Sequence, residues 1–335
     1  MSAINSHQQG SNLKRLVGAI RSRHPAVYLG LAVKALSPFT RRLDDLILRW
    51  AASDLTHQPN LPRCLFIVCP PRSGGTVIYQ ALTRAIPSIY LSNAHALFPA
   101  LATRWLRSNR SQRRESQTFN NYYGYSSHLF DVYEGNEFFE WLHDPSDAIH
   151  LSNQTLRLKF SRLIEQLSPL PTECVILKNA RAYAAVAKLH GAVPEILFIR
   201  VKRERSQVVE SVVRAFYELK SFHPVPPSLQ ETNITDPIEY AVAQIEAIEA
   251  TLDEQFATLS PEARIEISYE AFCLDPYAFI NTLTYDFLKF PPGSVQDSSA
   301  LAQLKPSRRR KVSESDRVKI QSLIHQKKQK RRDLL

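Results

Sequence analysis

The stretch Cys69-Pro70-Pro71-Arg72-Ser73-Gly74-Gly75-Thr76-Val77 gathers a guanidinium, two hydroxyls and two glycines within a few residues. It follows the apolar run Leu65-Phe66-Ile67-Val68 and leads into a segment with helical patterning, Gly75 to Ile86. A strand, a glycine-rich turn and a helix start form the arrangement in which α/β proteins hold phosphate. The first N–H groups of such a helix have no intrahelical partner and sit at the positive end of its dipole. Gly74 and Gly75 let the backbone approach an anion closely. Arg72 supplies charge-assisted donors, and Ser73 and Thr76 supply hydroxyls. The loop is not a Walker A sequence: G-x-x-x-x-G-K-[ST] is absent and no lysine precedes Thr76.

The elements that must position this loop can be read along the 335-residue chain. With 44% hydrophobic residues it can bury a sizeable core in one or two domains. From residue 63 onward, apolar runs (RCLFIVC, SIYLSN, CVILKN, EILFIRV, RIEISY) alternate with helical segments. That alternation predicts an α/β fold, with a P-loop-like central parallel sheet flanked by helices. Residues 61–335 form the expected α/β domain, with a polar, aromatic acceptor-loop region at 108–150 and a basic C-terminal segment. KKQKRR at 327–332 reads as a solvated end. Residues 1–60 read as an N-terminal extension of basic amphipathic helices. Leu13, Leu16, Val17 and Ile20 mark one, and Leu43, Leu46, Ile47 and Trp50 a second. Such helices fit packing on the core, and they fit peripheral contact with an anionic membrane surface.

Composition narrows the setting. Lys and Arg exceed Asp and Glu by 42 to 32, a net +10 that favours anionic partners without choosing among nucleotides, nucleic acid, glycans and membrane. Cys64, Cys69, Cys174 and Cys273 form no C-x-x-C pair and read as buried free thiols rather than a zinc site or disulfide framework. The N-terminal residues lack the apolar region of a signal peptide. No stretch reaches the roughly 20 apolar residues of a membrane span. The expectation is a cytoplasmic protein with the membrane surface as a peripheral contact.

PPRSGGT resembles the 5′-phosphosulfate loop of the sulfotransferase family, P-[KR]-S-G-T-[TS]. Arg72, Ser73, Gly74 and Thr76 match, while Gly75 stands where the family often has Thr. PEILFIRVKRERSQVVESVV resembles the family's 3′-phosphate segment, in which a Ser follows the Arg by eight positions. Arg203 and Ser211 have that spacing, although Glu204 and Arg205 replace the family's usual Asp or Asn and Pro. Arg200 competes as the arginine but reads better as a strand-end or core-edge residue. Lys178 and Asn179 match a K-[ND] strand end, and ISYEAFCLDP, with Tyr269 and Glu270, is similar to Y-E-x-[LF]-x-x-[DN]-P.

The resemblance implies 3′-phosphoadenosine 5′-phosphosulfate as co-substrate, with no metal. It implies sulfuryl transfer to a hydroxyl or amine of a glycan, lipid-linked or small acceptor. The implied donor site is Arg72, Ser73, Gly74, Gly75, Thr76, Val77, Arg203 and Ser211, with Arg72 also catalytic. A hydroxyl acceptor needs a general base. His95, Glu137 and Glu134 are the candidates, in that order, with His128 behind them. Tyr122, Tyr123, Tyr125, Phe138, Phe139 and Trp141 either line an acceptor cleft or form a satellite apolar cluster. Arg308 to Lys311 are expected either to close over the 3′-phosphate or to stay solvated. A kinase-like nucleotide enzyme, a binding module without catalysis and a nucleic-acid-binding protein remain the alternatives. The last has no reading motif to support it, and nucleic acid is not an expected partner.

Overall fold

The structure is a computed structural model. It describes residues 21, 24–51, 61–108, 119, 121–122, 125–126, 128–136, 138–139, 150–167, 170–220, 222, 224–230, 232–296, 299–302, 304–305 and 312–333. Its strands are β1 (Cys64–Val68), β2 (Ser88–Tyr90), β3 (Asn121–Tyr122), β4 (Tyr125–Ser126), β5 (Cys174–Lys178), β6 (Ile196–Lys202) and β7 (Arg264–Ser268). Its helices are α1 (Pro25–Ala51), α2 (Gly75–Ala85), α3 (Asn93–Leu97), α4 (Pro99–Ser108), α5 (Asn153–Leu167), α6 (Val186–Ala192), α7 (Arg205–Leu219), α8 (Pro237–Ala257), α9 (Tyr269–Leu274), α10 (Pro276–Asn281), α11 (Ser299–Ala302) and α12 (Glu314–Asp333).

Five strands form one sheet in the order β2-β5-β1-β6-β7, and every pairing is parallel. β1 and β5 are buried at every position. That explains their unbroken apolar runs, because a parallel sheet is covered on both faces. Phe66 of β1 lies opposite Leu177 and Phe198 in register. It contacts the Phe198 ring at 5.9 Å and the Phe139 ring at 5.7 Å. β1 has β5 on one side and β6 on the other. The carboxyl ends of these three neighbours therefore open onto one crevice, the place where ligands collect in open α/β sheets.

A second apolar cluster lies away from the sheet. Val208, Val209, Val212 and Val213 of α7 meet Ile238, Val242 and Ile245 of α8 and Ile320 and Ile324 of α12. The 20-residue α12 is mostly polar, and Ile320 and Ile324, one turn apart, dock it with Leu323 packed beside them. Lys319 pairs with Asp236 at 2.8 Å, and Lys327 pairs with Glu246. Position 327, read from sequence as the start of a solvated end, is thus tied to α8. All four cysteines are buried and free.

The second N-terminal helix is longer than its apolar marks suggested. α1 runs 27 residues and passes through Pro38 without a break. It packs on α3, α4 and the β3–β4 hairpin. The first predicted helix, at Leu13 to Ile20, lies outside the described residues.

Candidate active site

The loop after β1 is shaped for an anion. Arg72 and Gly74 both adopt positive φ, at 69° and 91°. For a non-glycine residue this conformation is strained, of the kind that collects at ligand clamps. Ser73 N donates to Pro70 O at 3.3 Å, and Gly74 O accepts from Val77 N and Ile78 N at 3.0 and 3.1 Å as α2 begins. No side chain caps α2. The Ser73 hydroxyl is buried and has no hydrogen-bond partner. A buried unsatisfied hydroxyl inside a turn at a helix start fits a phosphate or sulfate oxygen as its missing partner.

Both glycines are required by close neighbours. A Cβ on Gly74 would fall 2.1 Å from Cδ2 of Tyr269, the first residue of α9. A Cβ on Gly75 would fall 2.5 Å from Cys69 Sγ and 2.9 Å from Lys178 Cε. The departure from the family's Thr at position 75 therefore has a local cause: the thiol and the lysine stem occupy that space.

The second clamp meets the first directly. Ser211 Oγ accepts from Arg72 Nε at 3.2 Å, across 139 residues of sequence. It also lies 3.2 Å from Arg214 Nη2. Arg203 Nη1 donates to Arg72 O at 3.2 Å, and Nη2 to Gln207 Oε1 at 3.2 Å. The Arg203 guanidinium stacks over the Tyr269 ring at 4.6 Å. Its Nε stands 3.7 Å from Glu270 Oε1, near enough for attraction but too far for a hydrogen bond. Glu204 and Arg205, the departures from the family pattern, do structural work. Glu204 caps α7 by accepting from Ser206 N and Gln207 N, each at 3.1 Å. Arg205 pairs with Glu249. Arg200 lies within β6 rather than at its end, is buried, and pairs with Asp253 at 2.8 Å and Glu266 at 3.2 Å, both exposed, in keeping with a core-edge role. Arg214 was missed in the sequence. Its signal was its place one helical turn beyond Ser211.

On the other side of the loop, Lys178 at the end of β5 is buried and donates to Glu134 Oε1. Glu134 Oε2 accepts from Ala180 N at 3.3 Å, and the Glu134 carbonyl accepts from Asn179 Nδ2 at 3.3 Å. Asn179 Nδ2 also donates to Asn136 Oδ1 at 3.2 Å. Burial, the largest influence, pushes the Lys178 ammonium down, but attraction to Glu134 and to Cys69, with the hydrogen bond to Glu134, together outweigh it and the net lies above the ordinary 10.5. Burial pushes the nearby Cys69 thiol up.

His95 is elsewhere. Its ring is 1% exposed, and Nδ1 accepts from Ser92 N at 3.1 Å. That fixes the proton of the neutral ring on Nε2, which lies 3.1 Å from Thr103 Oγ1. His95 thus completes a capping box at the start of α3. Both ring nitrogens are engaged within the chain, and the carboxylate brought to the loop is Glu134. Glu137 lies outside the described residues, as do Tyr123, Trp141 and Arg308 to Lys311. Phe139 is 1% exposed and belongs to the core beside Phe66 rather than to an open cleft. His128 is exposed, and its carbonyl accepts from Asn93 Nδ2 at 2.9 Å.

Two outcomes follow from this packing. Gly75→Ala should destabilise the fold by roughly 1–3 kcal/mol through overpacking, and Cys69→Ala in the same chain should recover part of that loss. Urea unfolding of the four proteins in the cycle measures the coupling, and strictly additive effects would refute the contact. Lys178 gives a pH signature. Its folded value lies above its unfolded one, so its contribution is present below about pH 10.5 and is lost as pH rises through the folded value. In Glu134→Gln burial acts without the countercharge, so the folded value drops below the unfolded one. The resulting penalty is greatest near neutral pH and fades as the pH rises. The stability gap between wild type and Glu134→Gln should therefore shrink between about pH 7 and 10; a constant gap would show that Lys178 ionisation is not the cause.

Comparison with known proteins places the chain in a family and its fold among solved structures. The sequence model described as "Sulfotransferase family" matches residues 62–291. Sulfotransferase STF1 from Mycobacterium tuberculosis H37Rv superposes with a TM-score of 0.53 at 14% identity, covering 91% of this chain and 87% of its own. Sulfotransferase STF9 from Mycobacterium avium superposes with a TM-score of 0.51 at 14% identity, covering 78% of this chain and 71% of its own. At these identities the superpositions speak for the fold. No curated protein matches the sequence. The family match spans the loop after β1, the ends of β5 and β6 and the start of α9, and so the chain belongs to the sulfotransferase family, whose enzymes draw on 3′-phosphoadenosine 5′-phosphosulfate.

Proposed function

We propose that this sulfotransferase moves a sulfuryl group to a hydroxyl, with Glu134 as general base. The observation that carries the reading is the contact between Arg72 and Ser211, which joins two phosphate clamps into one site. The N–H groups at the start of α2, with Arg72, Ser73, Thr76 and the Gly74–Val77 backbone, hold the 5′-phosphosulfate. Arg203, Ser211 and Arg214 hold the 3′-phosphate. The donor set fits this ligand because it is cationic and ends in an unsatisfied buried hydroxyl.

The acceptor oxygen attacks sulfur as the bond from sulfur to the bridging phosphate oxygen breaks. The acceptor proton passes to Glu134, and the products are a sulfate ester and 3′-phosphoadenosine 5′-phosphate. Lys178 carries three N–H donors, so it can keep Glu134 in place and still reach a donor oxygen. Arg72 and Lys178 meet the charge that grows on the leaving phosphate, the electrostatic task common to such in-line displacements. No metal is needed for these steps. His95 acts at a distance. It fixes Ser92, which bridges to Val132, two residues before Glu134.

Calorimetry should show 3′-phosphoadenosine 5′-phosphate binding at least tenfold tighter than adenosine 5′-phosphate, since each charged hydrogen bond is worth roughly 1.5–3 kcal/mol. Arg203→Ala should erase the difference; equal affinities in wild type would remove the second clamp from the site. In a labelled-sulfate assay, Glu134→Gln should lower kcat by roughly 10²–10⁴-fold with little change in product-nucleotide affinity. Near-normal turnover in that variant would return the base role to Glu137 or His95.

A further inference from the structure

α1 has two unlike faces. Ala26, Val27 and Val33 are buried where the helix packs on α3, α4 and the β3–β4 hairpin. On the other face Phe39 is 73% exposed, and Tyr28, Leu36 and Leu43 are about half exposed. Ala32 and Ala35 are exposed among them. At helical spacing, positions 28, 32, 35, 36, 39 and 43 fall within an arc of about 100°. Scattered single apolar residues on a surface are ordinary, but a contiguous stripe marks a contact.

Charge indicates the kind of contact. Residues 1–51 hold eight Lys and Arg against two Asp, a net +6 of the chain's +10. Arg42 is exposed beside Leu43. Two copies of this segment would bring a net +6 against a net +6, which opposes self-association. An anionic bilayer suits both features, since it receives the apolar stripe at the head-group boundary and attracts a segment of net positive charge.

We infer that the outer face of α1 docks on an anionic membrane surface, with Tyr28, Leu36, Phe39 and Leu43 entering the head-group boundary.

The test uses the full chain with vesicles of phosphatidylcholine alone or mixed with phosphatidylglycerol. Co-sedimentation should occur with the anionic vesicles and fall with added salt. Leu36→Glu/Phe39→Glu should weaken it at least tenfold while leaving binding of 3′-phosphoadenosine 5′-phosphate unchanged. Equal sedimentation of variant and wild type would overturn the docking. So would a wild-type dimer, seen by sedimentation velocity, that the variant splits, because the face would then join two copies.

Discussion

The arrangement of the molecule turns on bringing guanidinium groups together at the carboxyl edge of one sheet. Arg72, Arg203 and Arg214 come from two separate strand ends and a helix, yet Arg72 and Arg214 both reach Ser211, and Arg203 reaches the Arg72 carbonyl. Like charges at such range repel. Neutral and negative groups set between them reduce the cost: the Arg72 carbonyl, Gln207, Glu270 and the face of Tyr269. The proposed 3′-phosphorylated donor would add a multiply charged anion to this cluster, the attractive complement to its repulsion.

The rest of the fold holds that cluster. β1 and β6 lie side by side in register, which sets the two arginine-bearing strand ends next to each other. α7 presents Ser211 and Arg214 to the site and its valines to α8 and α12. The C-terminal helix, far from the loop in sequence, thereby braces the helix that carries Ser211 and Arg214. Tyr269 has two contacts at once, filling the space a side chain at position 74 would need and stacking on Arg203.

How legible the site was depended on how local its parts are. The loop from Arg72 to Thr76 could be read because a buried strand, two glycines and a helix start are contiguous. Arg203 and Ser211 could be read because eight positions of strand end and helix fix their spacing. The pairing of Lys178 with Glu134 could not, because 44 residues and an irregular path separate them and only the folded chain decides which carboxylate reaches the lysine. His95 drew attention through its position and the near-neutral reference value of any imidazole, yet the pattern Ser92-x-x-His95 has the spacing of a capping box, a local role that engages the ring. Phe139 sat in an aromatic-rich segment whose rings could not be sorted by pattern alone, and contact with Phe66 puts it in the core. α1 shows the same limit in reverse. Apolar spacing found the helix, but only its packing shows which apolar residues are covered.

The crowding at position 75 bears on how such a loop can change over generations. Cys69 Sγ and the Lys178 stem occupy the volume that a threonine there would claim. A lineage moving from this loop toward the threonine form must first shrink residue 69 or redirect the lysine, and a lineage moving the other way must first lose the threonine. The two states are joined by an ordered path rather than by independent steps, so the identity of residue 69 constrains which phosphate-loop sequences are reachable from this one.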